Sequence, residues 1–192
     1  MIQFPIIQDK LFFEMTPLLP TTEYDDPSTS FHPYALARFS EIQGTGIQTE
    51  VYNFVELPET TDSEDYLQSD DLVAVSFDLN PGKGPLVTVV CNSGNRSQLF
   101  CDGKVVGDFP CIRKKGEDER GMYWYIQFTL TPEDLRKYWG IGTLSGTPVI
   151  RANVFKTKTG APHRHFGAIA PYVHAYELFS RENLQDLPVI RM

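Results

Sequence analysis

Residues 123–130, YWYIQFTL, place Trp124, Ile126, Phe128 and Leu130 on one side of an extended chain and Tyr123, Tyr125 and Gln127 on the other. A period of two is the signature of a strand with one face in a core. The pattern recurs along the chain. Ala35, Ala37 and Phe39 alternate with Leu36, Arg38 and Ser40; after the turn Gly44-Thr45-Gly46, residues Ile47, Thr49, Val51, Asn53 and Val55 alternate with Gln48, Glu50, Tyr52, Phe54 and Glu56. This reads as a hairpin. Val73, Val75, Phe77 and Leu79 share a face over 72–79, and the turn at 80–85 leads into a strand at 86–91. Short strands at 97–101 and 104–106 flank Asp102-Gly103, a two-residue hairpin signal. A last strand covers 149–156.

One helix is well marked. Thr131 can cap it, Pro132 suits its first turn, Asp134 completes a capping box and Gly140 can end it, with Leu135, Tyr138 and Trp139 apolar. A second helical turn is expected within 177–184. Two polar stretches, acidic 57–71 and charged 113–121, read as solvated connections. With 14 Gly, 14 Pro and 12% aromatic residues, a helical bundle is excluded. The reading is an all-β fold, a β-sandwich or jelly roll with one or two short helices, in a single domain spanning 1–192.

Twenty-five acids against 17 Lys and Arg leave a net charge of -8, a sign that repels phosphate backbones and anionic headgroups. Nucleic acid and membranes are therefore not expected partners. No window approaches the roughly 18 apolar residues of a membrane helix. The first 20 residues lack a basic start and a small-residue cleavage site. Cys91, Cys101 and Cys111 are odd in number and form no C-x-x-C pair, as for thiols in a reducing compartment. The expectation is a cytoplasmic protein, or an exported one were a leader to precede this chain.

No G-x-S-x-G elbow, P-loop, dinucleotide fingerprint or H-E-x-x-H pair is present, so a non-catalytic role is expected. His163 and His165 flank Arg164, and in an extended segment both imidazoles project from one face. A metal there would need a third ligand from His174, Glu177 or His32. Hydrogen bonding to ligand or backbone is the preferred role. In 149–156, Ile150, Ala152 and Val154 can face the core while Arg151, Asn153 and Phe155 share the other side. A forked donor, an amide and a ring suit sugar recognition, since a ring packs on C–H faces and planar groups bond vicinal hydroxyls. Pairing of Arg151 and Asn153 across the sheet is the competing reading.

Several of these segments resemble family 9 carbohydrate-binding-module-like domains, found in many gut and soil bacteria. Residues 124–130, WYIQFTL, resemble that family's penultimate aromatic strand, followed by a short helix at 132–139. Arg151-Ala152-Asn153-Val154-Phe155-Lys156 resembles its R-x-N-x-Y-K strand. His163 to Phe166, Pro171, and His174 to Phe179 are similar to its histidine- and proline-rich ending, and the match extends over 34–179. The chain departs from the family at Asp71-Leu72-Val73-Ala74-Val75, where a D-S-x-E strand belongs, and at His174-Ala175-Tyr176-Glu177.

The resemblance implies a β-sandwich that binds a mono- or oligosaccharide, without catalysis and without a cofactor beyond a structural calcium, expected near 62–71. The candidate ligand-binding residues are Arg151, Asn153, Phe155, Lys156, His163, His165 and Trp124, the last also read as core. Two readings compete. One is an assembly module, self-associating or binding another protein, that has lost sugar binding and shows an exposed apolar patch. The other is a hydrolase using His163 or His165 beside Glu177.

Overall fold

A computed structural model describes residues 2–24, 34–54, 64–160 and 164–192. Its chain order begins with β1 (Phe4–Ile7), α1 (Lys10–Met15), β2 (Leu19–Pro20), β3 (Glu23–Tyr24), β4 (Tyr34–Ile42), β5 (Gly46–Phe54) and α2 (Tyr66–Ser69). It continues through β6 (Leu72–Asp78), β7 (Val87–Asn92), β8 (Ser97–Cys101), β9 (Lys104–Asp108), β10 (Ile112–Asp118), β11 (Gly121–Leu130) and α3 (Pro132–Trp139). It ends with β12 (Val149–Lys158), β13 (His165–Ala168), a 3₁₀ turn at Arg181–Asn183 and β14 (Gln185–Arg191). Among the described residues no helix is long and apolar enough to cross a membrane.

The strands form two layers. In the first, β10, β11, β5 and β4 run antiparallel in that order, β2 borders β4, and β1 joins β4 in parallel. In the second, β12, β6, β7, β8 and β9 are successive antiparallel neighbours. β13 extends this layer beside the end of β12, and β3 adds to β13. β14 belongs to both layers: Gln185 to Pro188 pair with β12, whereas Val189 to Arg191 pair with β1. The two sheets are thus continuous through one strand, the corner device of a sandwich.

Between the layers lies the main core, where the period of two is realised on both sides. Trp124, Ile126, Phe128 and Leu130 meet Val73, Val75, Phe77, Val87 and Val89 across the gap, and Ile150, Ala152 and Val154 complete it. Such burial is the chief stabilising term of the fold. Local turn chemistry agrees with the sequence. Asp102 and Gly103 take φ of 47° and 75°, the left-handed pair that a two-residue hairpin needs. Gly46, at φ 108°, is obligatory for a second reason, since a Cβ there would collide with the Leu130 carbonyl. Helix α3 has the expected capping box between Thr131 and Asp134 and ends at a left-handed Gly140.

One polar stretch behaves differently from its composition. Residues 113–121, read as a solvated connection, instead contain most of β10, which pairs with β11 from Ile112↔Gln127 to Asp118↔Gly121. β10 lies at the edge of its sheet. An edge strand tolerates and even favours charges, because they discourage pairing with other chains. Within the acidic stretch 57–71, Tyr66–Ser69 form a helical turn; residues 55–63 lie outside the described residues.

Candidate functional site

Arg151, Asn153 and Phe155 do share one face of β12, as the alternation requires, but that face is covered. The segment after β13 folds over the outer surface of the second sheet and builds a separate apolar cluster from Leu72, Ala74, Val90, Phe100, Phe155, Phe166 and Leu178. Phe155 is fully buried, its ring 5.4 Å from that of Phe166. Asn153 is also fully buried: its Nδ2 donates to the carbonyls of Ala170 (3.1 Å) and Asn183 (2.8 Å). Its Oδ1 accepts from the amides of Val154 and Ala170. Arg151 pairs with Asp186 at 3.2 Å on β14. These three side chains hold the covering segment and the β12–β14 seam, and the proposed sugar-facing surface of Asn153 and Phe155 is closed off by it.

Three other candidates converge on a carboxylate, Asp71, that was not among the expected ligand-binding residues. Asp71 and Lys156 both point into the gap between the sheets at one end of the core, and Lys156 Nζ lies 2.5 Å from Asp71 Oδ1. His165 Nε2 approaches the same oxygen at 3.3 Å. The other oxygen faces the first sheet, where Asn53 Nδ2 (2.8 Å) and Trp124 Nε1 (3.3 Å) donate to it. Asn53 and Trp124 are register partners on β5 and β11. Asp71 therefore ties the two layers together, one oxygen to each.

Burial opposes ionisation of Asp71, but the Lys156 ammonium and the His165 hydrogen bond outweigh it and hold the carboxyl well below its ordinary range. A buried carboxylate that accepts from Lys156, Asn53 and Trp124, with His165 beside it, is a structural centre. Lys156, fully buried, is correspondingly a partner of Asp71 and presents no surface to a ligand.

His163 lies outside the described residues, as does His32. His174 is on the surface, 2.6 Å from Glu182, remote in role from His165. Among the described residues no three His, Cys, Asp or Glu side chains gather as a metal would need. Of the acids expected near a calcium, Asp71 is engaged as above and Asp70 accepts from Asn92 (2.8 Å) and Ser69 (2.9 Å).

One open cleft lies beside this knot. A cleft of about 330 Å³ is lined by Ser93, Gly94 and Asn95 from the β7–β8 loop, Arg113, Lys114 and Lys115 from β10, and Trp124 and Tyr125 from β11. Arg113 fixes its floor, donating from Nη1 to the carbonyls of Asn92 (2.6 Å) and Gly94 (2.9 Å) and from Nη2 to that of Arg96. That fork staples the edge of the first sheet to a loop of the second. The outer face of the first sheet adjoins the cleft through Tyr125 and carries a chain of rings. Tyr52 lies 4.9 Å from Tyr125 and 5.5 Å from Tyr123, and Phe54 stacks on Tyr34 at 4.8 Å. Tyr125 itself donates to Glu50 at 2.8 Å, and burial together with that bond pushes its hydroxyl pKa up.

The signals for this site were present but dispersed. Arg113-Lys114-Lys115 and Trp124-Tyr125 face one another as hairpin partners, with Lys115↔Trp124 and Lys114↔Tyr125 in register, which follows only once 113–118 is recognised as a strand.

This fold is that of the family 9 carbohydrate-binding modules. A carbohydrate-binding module of family 9 from Caldicellulosiruptor kristjanssonii, solved in complex with cellotriose, superposes with a TM-score of 0.63 at 8% identity, over 99% of this chain and 94% of that one. A protein from Bacteroides uniformis, proposed to bind carbohydrate, superposes with a TM-score of 0.66 at 12% identity, over 98% of both chains. No protein-family profile and no curated protein sequence matches the chain.

Proposed function

We propose that this chain is a non-catalytic carbohydrate-binding domain whose ligand seats in the cleft between the β7–β8 loop and the β10–β11 hairpin. The observation that carries the reading is the full-length likeness to a module solved with cellotriose bound. The cleft adds a site of suitable chemistry, with the side chains of Ser93, Asn95, Lys114 and Lys115 as hydrogen-bonding groups beside the largely buried Trp124 and Tyr125. Asp71, the carboxylate behind the Trp124 wall, is held ionised by its partners, which supports binding without catalysis.

A glycan array followed by calorimetry with cellotriose and the strongest array ligand tests this reading. Saturable binding weakened by Asn95→Ala, an exposed loop change that leaves the core intact, is the expected result. A blank array, or binding unaffected by Asn95→Ala and by Lys115→Ala, overturns the site.

A second reading rests on a separate observation. The short helix α1 exposes Leu11 (74%), Phe12 (47%) and Met15 (77%), an apolar patch of the kind used for self-association or a protein partner. Sedimentation of the wild type against Leu11→Glu/Met15→Glu reads it: a concentration-dependent dimer abolished by the pair supports assembly, and a monomer at all concentrations removes self-association.

A further inference from the structure

We infer that the cleft selects an anionic sugar, one bearing a carboxylate or a sulfate, over a neutral one; this rests on the proposed carbohydrate-binding reading. The charge at the site is opposite to that of the protein. The chain carries a net charge of -8, yet Arg113, Lys114 and Lys115 line the cleft and, among the described residues, no Asp or Glu does. Low-dielectric walls focus such a field and raise the local concentration of the opposite ion.

None of the three charges is cancelled. The Arg113 guanidinium donates to the backbone carbonyls of Asn92, Gly94 and Arg96, which satisfy its hydrogen bonds and leave its unit charge intact. Lys114 Nζ stands 5.8 Å from the centre of the Tyr125 ring, a contact that likewise leaves a positive charge in place. Neither Lys114 nor Lys115 makes an ion pair with another described residue.

Stacking contributes little here. Trp124 is 2% and Tyr125 7% exposed, so neither ring offers the cleft a broad platform. Affinity then has to come from polar contacts, and contacts to a charged acceptor are about twice as strong as those to a hydroxyl. A cleft of about 330 Å³ has room for a sugar ring with its anionic substituent turned toward Lys115, which shares the Trp124 side of the hairpin.

Calorimetry of the full chain against four probes tests the inference: trigalacturonate, a sulfated disaccharide, cellotriose and inorganic sulfate, each at low and at 0.3 M salt (roughly a three-fold shorter screening length than at 0.03 M). The expected result is saturable binding of at least one charged sugar, about ten-fold tighter than cellotriose, weakened by salt and reduced about ten-fold by Lys115→Gln. Whether trigalacturonate or the sulfated sugar is preferred distinguishes carboxylate from sulfate recognition. Cellotriose bound as tightly as the charged sugars, with no effect of Lys115→Gln, overturns the inference and leaves the carbohydrate-binding reading standing. Binding of inorganic sulfate as tight as that of either charged sugar also overturns it, as a bare anion site. No binding of any sugar removes both.

Discussion

Lys156 Nζ sits 2.5 Å from Asp71 Oδ1 at one end of the inter-sheet core, with both side chains buried. Because the second oxygen of Asp71 accepts from Asn53 and Trp124, this ion pair also joins the two layers through side chains inside the core.

Removing one partner should be costly. Lys156→Met leaves Asp71 charged and buried, and is expected to lower unfolding free energy by about 3 to 5 kcal/mol in a urea titration. Asp71→Leu/Lys156→Met should recover part of the loss and no more, because Asn53 and Trp124 then lose their acceptor. Full recovery would mean that those two donors contribute nothing.

Stability should depend on acid pH through the same group. The native carboxyl of Asp71 titrates well below its ordinary 3.8, so its contribution is fully present above that value and is lost as pH falls toward the native one. The urea midpoint of the wild type is expected to be nearly level from pH 7 to 5 and to fall below about pH 4. Asp71→Asn should start lower and show a shallower fall. An equal slope in both proteins would place the acid sensitivity elsewhere.

The covering segment should depend on Asn153 far more than on Arg151. Asn153→Ala strands the Ala170 and Asn183 carbonyls in a buried place, an expected cost of about 1 to 3 kcal/mol, with faster amide exchange at Ala170. Arg151 pairs with an Asp186 that is mostly exposed, so Arg151→Ala should stay within about 0.5 kcal/mol. Thermal unfolding and hydrogen exchange together read both variants.

Much of the fold was legible because period two and turn chemistry are local. Residues 123–130, the Asp102-Gly103 turn and the Thr131–Asp134 box all state their structure within a few positions. β10 was not legible, because an edge strand rich in Lys, Glu and Asp has the composition of a loop. The candidate site was legible in part. Alternation correctly grouped Arg151, Asn153 and Phe155, but it cannot say that a segment from further along the chain covers their face. Trp124, Lys156 and His165 were chosen separately, and what unites them is Asp71, 53 residues from Trp124 and 85 from Lys156. An acid directly before an apolar strand, in a chain with a lysine late in another, was one hint. Pairing at that distance is a property of the sheet register.

The central claim is that a sugar occupies the cleft between residues 93–95 and 113–115. Titration of a sugar found by array screening into isotope-labelled protein, followed by amide NMR shifts, tests it most directly. The account predicts saturable shifts concentrated at Ser93, Gly94, Asn95, Lys114 and Lys115, with the amides of Arg151 and Asn153 unmoved. Shifts centred instead on Arg151 and the segment covering β12, or no saturable shifts with any sugar, would contradict it.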